Sequence, residues 1–213
     1  MSVNDEWGRV NKAAYNASSK DYQYCFTEKK GWQIEEREKF AELVKANSKI
    51  IRPPVLDLGC GDGKDLVIFW NLGLLPVGLD YAEEMLEIAR KRCPEALTLQ
   101  GDLRKPLCFI PDNTFRGVWS CSTLPHIPRE DLSRLFREIY RVLVGGGIFY
   151  ISMRLGEPGL YKIPYLGVEV FREKYTEEEL HSYLEEVGFL VLDSQTTETE
   201  IDLYPTIYAQ KEN

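Results

Sequence analysis

Asp57-Leu58-Gly59-Cys60-Gly61-Asp62-Gly63 sets an acid ahead of three glycines at alternate positions. Glycine tolerates positive φ, and without a Cβ it lets backbone N–H groups come close to a ligand. The preceding Val55-Leu56 reads as part of a buried strand, and the following Lys64-Asp65-Leu66 as the start of a helix. Two phosphate-binding loops share that order. A Walker loop would put glycine at 58 and serine or threonine at 65, where this chain has Leu58 and Asp65. A dinucleotide fingerprint would place its third glycine one residue later, at Lys64. Neither fits, which leaves a different ligand cradle or a purely structural bend.

Further acids follow in step. Asp80 closes the apolar run Val77-Gly78-Leu79. Alone it would be an ordinary strand-end cap, but behind the glycine loop it stands where a carboxylate accepts from both ribose hydroxyls. Asp102, in Leu99-Gln100-Gly101-Asp102-Leu103, follows the next run, with a turn or N-cap role as the alternative. After a fourth run comes Ser120-Cys121-Ser122-Thr123-Leu124-Pro125-His126. His126 has the near-neutral intrinsic pKa of a general base; its other reading is a helix-start or pocket-lining residue. His181, directly after Leu180 on a capped helix, reads as structural or exposed.

The elements that position these residues alternate. Short apolar runs at 55–58, 75–80, 96–99, 117–120, 147–152, 190–192 and 206–209 are separated by helical patterns. That order predicts an α/β fold: a doubly wound, mostly parallel seven-stranded sheet with helices on both faces. Leu132, Leu135, Phe136, Ile139, Val142 and Leu143 recur at helical spacing, and Gly145-Gly146-Gly147 is expected to end that helix. Thr176 with Glu179 forms a capping box, and Gly188 stops the helix that follows. The expected organisation is one domain over 1–213. It comprises a helical N-terminal cap (1–48), a core (50–153), an insertion on the substrate side (154–175) and a C-terminal helix with strands (176–213). Additions of this kind cover the ligand crevice beyond the carboxyl ends of the strands.

The spacing D-x-G-x-G-x-G, with Asp80, Asp102, the loop after the fourth strand and the glycine run in register, resembles the class I S-adenosylmethionine-dependent methyltransferases. Within them it is most similar to the small, metal-independent enzymes that methylate metabolites. The likeness covers about residues 50–153, and 171–180 closing on 186–189 is similar to a late helix and strand of those enzymes. It implies S-adenosyl-L-methionine as cofactor and S-adenosyl-L-homocysteine as product. Asp57 would orient the loop and meet the amino group, with Gly59, Cys60, Gly61 and Gly63 at the amino-acid end. Asp80, Tyr81 and Met85 would serve the ribose side and Asp102 with Leu103 the adenine, while Ser120 and Cys121 lie beside the sulfonium. Tyr15 and Tyr22 are candidate contacts from the N-terminal cap, with simple packing as the alternative. Two departures stand out: Arg116 where many relatives carry an acid, and Pro125 just before His126.

Composition narrows the partners. The net charge of −8 argues against binding DNA or bulk RNA, so a small-molecule substrate is expected. No apolar run reaches membrane-spanning length and the start of the chain lacks a signal-peptide pattern, which points to the cytoplasm. Cys25, Cys60, Cys93, Cys108 and Cys121 make neither a disulfide framework nor a C-x-x-C pair, so no metal site is expected. The expected reaction is in-line methyl transfer, which needs alignment and exclusion of water more than a proton acceptor. The alternatives are a regulatory protein that binds the cofactor without turnover, or an aminopropyl transferase on the same fold. The acceptor itself is not written in these motifs.

Overall fold

A computed structural model describes residues 3–26, 34–165, 168–198 and 203–213. Two helices come first, α1 (Val3–Phe26) and α2 (Ile34–Ala46). The alternating core follows: β1 (Pro54–Leu58), α3 (Lys64–Asn71), β2 (Leu75–Asp80), α4 (Glu83–Arg92), β3 (Leu97–Gln100) and β4 (Phe115–Cys121). One 3-10 turn, Leu124–His126, leads to α5 (Arg129–Val142) and β5 (Leu143–Ser152). The chain ends with β6 (Gly159–Tyr165), β7 (Val168–Lys174), α6 (Glu177–Val187), β8 (Phe189–Glu198) and β9 (Leu203–Lys211).

Seven strands form one sheet in the order β3-β2-β1-β4-β5-β9-β8. Strands β1 to β5 run parallel, and β9 enters antiparallel between β5 and β8. This is the doubly wound seven-stranded sheet expected from the alternation. The chain steps outward from β1 to β3, then returns to β4 on the other side of β1. Between β1 and β4 the winding therefore reverses, and in such sheets ligands sit outside the carboxyl ends at that point.

Both faces of the sheet are covered. One buries Leu56, Leu58, Val118, Phe149 and Ile151 with the apolar side of α5. The other is aromatic: Phe40 of α2 and Phe69 of α3 pack on Trp119, which stacks on Tyr150 at 3.7 Å between centroids. Strands covered on both sides read as continuous apolar runs, which is why β1 and β2 are legible in sequence.

Two local expectations are corrected or refined. The glycine run does not end α5. That helix stops at Val142, and Gly145–Gly147 lie inside β5, where two steps along β4 (Phe115 to Gly117) face five along β5 (Leu143 to Ile148). Glycines suit a bulge as well as a helix stop, and Gly146 takes φ of 73° there. The segment expected as an insertion folds as an antiparallel hairpin, β6 with β7. Helix α1 packs on β7 and on α4 through Trp7, Asn11, Ala14 and Ser18, which share one face. The cap and the hairpin thus meet each other. The Thr176–Glu179 capping box forms as read.

Candidate functional site

The loop from β1 into α3 is bent at three left-handed glycines, with φ of 68° at Gly59, 53° at Gly61 and 77° at Gly63. It is fastened to the end of β2. Gly59 and Cys60 N–H groups donate to the Leu79 carbonyl at 2.7 and 3.2 Å, and Gly61 N–H donates to Asp80 Oδ2 at 3.0 Å. A Cβ on Gly59 would run into the Thr123 side chain, whose hydroxyl donates to the Leu58 carbonyl at 2.6 Å. Thr123 was not a candidate from sequence. Its position in the loop after β4 was the available signal, but its partner is a backbone carbonyl 65 residues away.

Each acid sits in a different environment. Asp57 is 3% exposed, and its Oδ2 has no partner among the described residues. Burial pushes its pKa well up, and the neighbouring charge of Asp65 adds to this, against Arg37 and Lys64. Asp65 itself is buried and fully engaged. Arg37 donates to Oδ1 from Nε at 2.9 Å and from Nη2 at 2.6 Å, while Trp119 Nε1 donates to Oδ2 at 3.1 Å. Asp80 accepts from Ala82 N–H at 2.9 Å as well as from Gly61. Burial raises its pKa and those amides restrain the rise. The Tyr81 amide acts on it as well, and since a carboxylate has about four acceptor sites Asp80 keeps capacity for a further donor. Asp102 is held by Arg104, whose Nε donates to Oδ1 at 2.9 Å and whose Nη2 donates to Oδ2 at 2.5 Å. Burial works against ionisation there, but the guanidinium overrides it and keeps the carboxyl below its ordinary value.

The remaining candidates lie at or just beyond the carboxyl ends of β1 to β4. The Tyr81 and Ser120 hydroxyls are buried with no partner among the described residues. Met85 is buried, its methyl 3.4 Å from where a Cβ on Gly61 would stand, and Leu103 is buried nearby. The Cys60 thiol is turned toward Gly78 of β2, which leaves only its backbone for the loop. Burial, chiefly, pushes the Cys121 thiol up to about 11.

His126 closes the 3-10 turn beneath α1. Its Nε2 lies 2.9 Å from the Tyr15 hydroxyl, and the two rings meet edge to face at 5.3 Å. Its Nδ1 lies 3.3 Å from Asn11 Nδ2. Burial pushes the imidazole down to about 3, with Arg172 contributing in the same direction. Asn11, absent from the sequence candidates, is bonded to both backbone groups of Phe171 on β7. Tyr22 lies outside the residues whose side chains are described.

The structure thus gathers the glycine loop, three acids, two buried unpaired hydroxyls and one neutral imidazole around the point where the winding reverses. Asp57 Oδ2, unpartnered among the described residues and with its pKa raised by burial and by the Asp65 charge, suits a ligand bearing an ammonium group. Among the described residues no group of three or more His, Cys, Asp or Glu side chains could hold a metal ion, and no helix is long and apolar enough to cross a membrane.

Residues 55–147 match a protein family described as "Methyltransferase domain". Over 104 residues the chain is 34% identical to a sterol 24-C-methyltransferase of Aspergillus fumigatus, covering 45% of this chain and 26% of that protein. It is 31% identical over 131 residues to an 18S rRNA (guanine-N(7))-methyltransferase of Schizosaccharomyces pombe, covering 54% and 45%. The chain therefore spans less than half the length of either relative. A crystal structure of 1,6-didemethyltoxoflavin-N1-methyltransferase from Burkholderia thailandensis, with bound 1,6-didemethyltoxoflavin and S-adenosylhomocysteine, superposes with a TM-score of 0.73. That likeness covers 100% of this chain and 92% of the other at 19% identity, a similarity of fold.

Proposed function

We propose that the chain is a class I S-adenosylmethionine-dependent methyltransferase that methylates a small-molecule acceptor by in-line transfer without a metal, a reading supported by the match of residues 55–147 to a methyltransferase domain. The observation that carries the cofactor half is the buried, unpaired Asp57 Oδ2 beside the left-handed glycine loop. Asp57 would take the amino group of S-adenosyl-L-methionine; the Gly59, Cys60, Gly61 and Gly63 amides already donate within the protein, so the glycines would serve the amino-acid end by leaving it room. Asp80 would hold the ribose with Tyr81 and Met85 beside it, Asp102 and Leu103 the adenine, and Ser120 and Cys121 the region next to the sulfur. Tyr15 would close the site from α1.

Bound S-adenosyl-L-methionine supplies an electrophilic methyl group whose departure leaves a neutral thioether. The chain's own residues have no leaving group to protonate, so alignment and exclusion of water dominate their contribution. His126 is engaged at both ring nitrogens and titrates far below neutrality, which favours a positioning role over that of proton acceptor. It holds Tyr15, and with it α1, over the crevice.

A small acceptor is favoured by the way α1, the 3-10 turn and β7 meet across the site, joined through Asn11, His126 and Phe171. A broad nucleic-acid track would need that region open and basic, and the chain carries a net charge of −8. The relative that acts on 18S rRNA makes RNA the reading to test against. Incubation with methyl-labelled S-adenosyl-L-methionine and a cell extract should transfer label to a low-molecular-weight product. Label confined to RNA or protein would overturn the small-acceptor reading, and absence of binding to S-adenosyl-L-homocysteine would overturn the cofactor reading.

A further inference from the structure

Arg104 touches two parts of the molecule that no motif connects. Its guanidinium grips the Asp102 carboxylate, with Nε to Oδ1 at 2.9 Å, Nη2 to Oδ2 at 2.5 Å and its own backbone N–H to Oδ1 at 3.0 Å. The face of the same guanidinium lies against α1 at Gly8. A Cβ built on Gly8 would overlap Arg104 Cζ, Nη1 and Nη2 together, so the whole planar group rests on the helix backbone. Glycine inside a helix is unfavourable by itself, which makes its presence at the footprint of a planar cation informative. Helix α1 is also the element that brings Asn11 and Tyr15 to His126.

We propose that Arg104 is a positioning residue that ties the adenine end of the cofactor site to the docking of α1. This rests on the cofactor reading above. Arg104 keeps Asp102 ionised and fixed in rotation, so the acceptor site left on its carboxylate is held in one orientation. A ligand that bonds to Asp102 stiffens the carboxylate–guanidinium pair, and the pair presents a rigid platform on which Gly8 sits. Occupancy at the base thereby reaches Tyr15 through α1, with no contact between the ligand and Gly8.

Hydrogen exchange of α1, read with and without S-adenosyl-L-homocysteine, and calorimetric affinity for the same compound test this on the full chain. In the wild-type protein the ligand should slow exchange across residues 6–19. Arg104→Ala should weaken binding at least tenfold and abolish that extra protection, and Arg104→Lys, which keeps charge but not the planar face, should recover affinity in part and protection little. Gly8→Ala should lose the protection although Asp102 and Arg104 are both retained. Alanine favours helix, so a merely structural role for Gly8 predicts slower exchange instead. Unchanged ligand-induced protection in Arg104→Ala or Gly8→Ala, with wild-type binding intact, overturns the proposal. No binding to the wild-type protein overturns the cofactor reading beneath it.

Discussion

Asn11 reads the backbone of Phe171 with both ends of its amide: Nδ2 donates to the Phe171 carbonyl and Oδ1 accepts from its N–H, each at 2.8 Å. Backbone groups cannot exchange donor and acceptor, so this pairing fixes which end of Asn11 is the amine. The second contact of that amine, 3.3 Å from His126 Nδ1, is then donor to ring nitrogen. His126 keeps its proton on Nε2 and gives it to the Tyr15 oxygen at 2.9 Å. Nitrogen chemical shifts of the imidazole should report Nε2–H at neutral pH, and Asn11→Asp should shift the proton to Nδ1.

The same imidazole should make the fold sensitive to mild acid. Its folded pKa is about 3 against an ordinary 6.5, so below pH 6.5 the unfolded chain takes up a proton that the folded chain refuses. Stability is complete above 6.5 and is lost as pH falls toward 3. Between pH 7 and pH 5 the loss from this group is about 1–2 kcal/mol. His126→Gln should flatten that part of the profile in urea unfolding at the two pH values. An identical slope in the variant would show that His126 is not the source.

Asp57 behaves with the opposite sign. Its folded pKa stands well above the ordinary carboxylate value because burial disfavours the charge, so the folded chain holds the proton more tightly than the unfolded one. Stability of the ligand-free protein is therefore greatest at low pH from this group and falls as pH rises through the raised pKa. Asp57→Asn should unfold at higher urea than the wild type at neutral pH. The same variant should lose affinity for S-adenosyl-L-homocysteine by about 1–3 kcal/mol, the scale of a charged hydrogen bond. A variant destabilised on both counts would mean that Asp57 has a partner inside the fold.

The first two glycines of the loop should separate packing from binding. At Gly59 any side chain strikes Thr123 and also inherits φ of 68°. At Gly61 a methyl would meet only the end of Met85 at 3.4 Å, leaving the φ of 53° as the main cost. Gly59→Ala should cost about 2–3 kcal/mol of stability and Gly61→Ala nearer 1. Cofactor affinity should respond in the reverse order of stability, since only Met85 stands within 4 Å of a Cβ at Gly61 and the rest of that space is left to a ligand. Thermal unfolding and calorimetric titration of both variants check the crossing.

What could be read in the sequence was what is local. The loop, Asp80, Asp102 and the strand runs each declare themselves within a few residues, because turn chemistry and two-sided burial leave a short-range pattern. The glycine run at 145–147 was misplaced for a related reason: a helix stop and a strand bulge ask for the same residue. Partnerships between distant side chains left no such trace. Asn11 meets Phe171 across 160 residues and Arg37 meets Asp65 across 28, and neither pair has a spacing rule. Even Asp102, found by its position, was read toward a ligand with no hint that Arg104 already held it.

Arg37 is the sharpest case of such an unseen residue, and it carries the last prediction. It and Asp65 are an ion pair at 2.6 Å with side chains 7% and 6% exposed, and Trp119 donates to the second oxygen of Asp65. The pair clamps α2 onto the start of α3, directly behind the glycine loop and next to Asp57. Removing one partner of a buried pair leaves the other uncompensated, at about 3–5 kcal/mol. Arg37→Met should therefore unfold the chain at much lower urea. Restoring neutrality with Asp65→Asn in the same chain should recover most of the loss, because the asparagine amide can still accept from Trp119. The single variant should also raise the Asp57 proton affinity and the double variant lower it, since Asp65 outweighs Arg37 among the charges that act on Asp57. Recovery of stability without any change in the pH dependence of cofactor binding would separate the clamp from the site and disprove the electrostatic link between them.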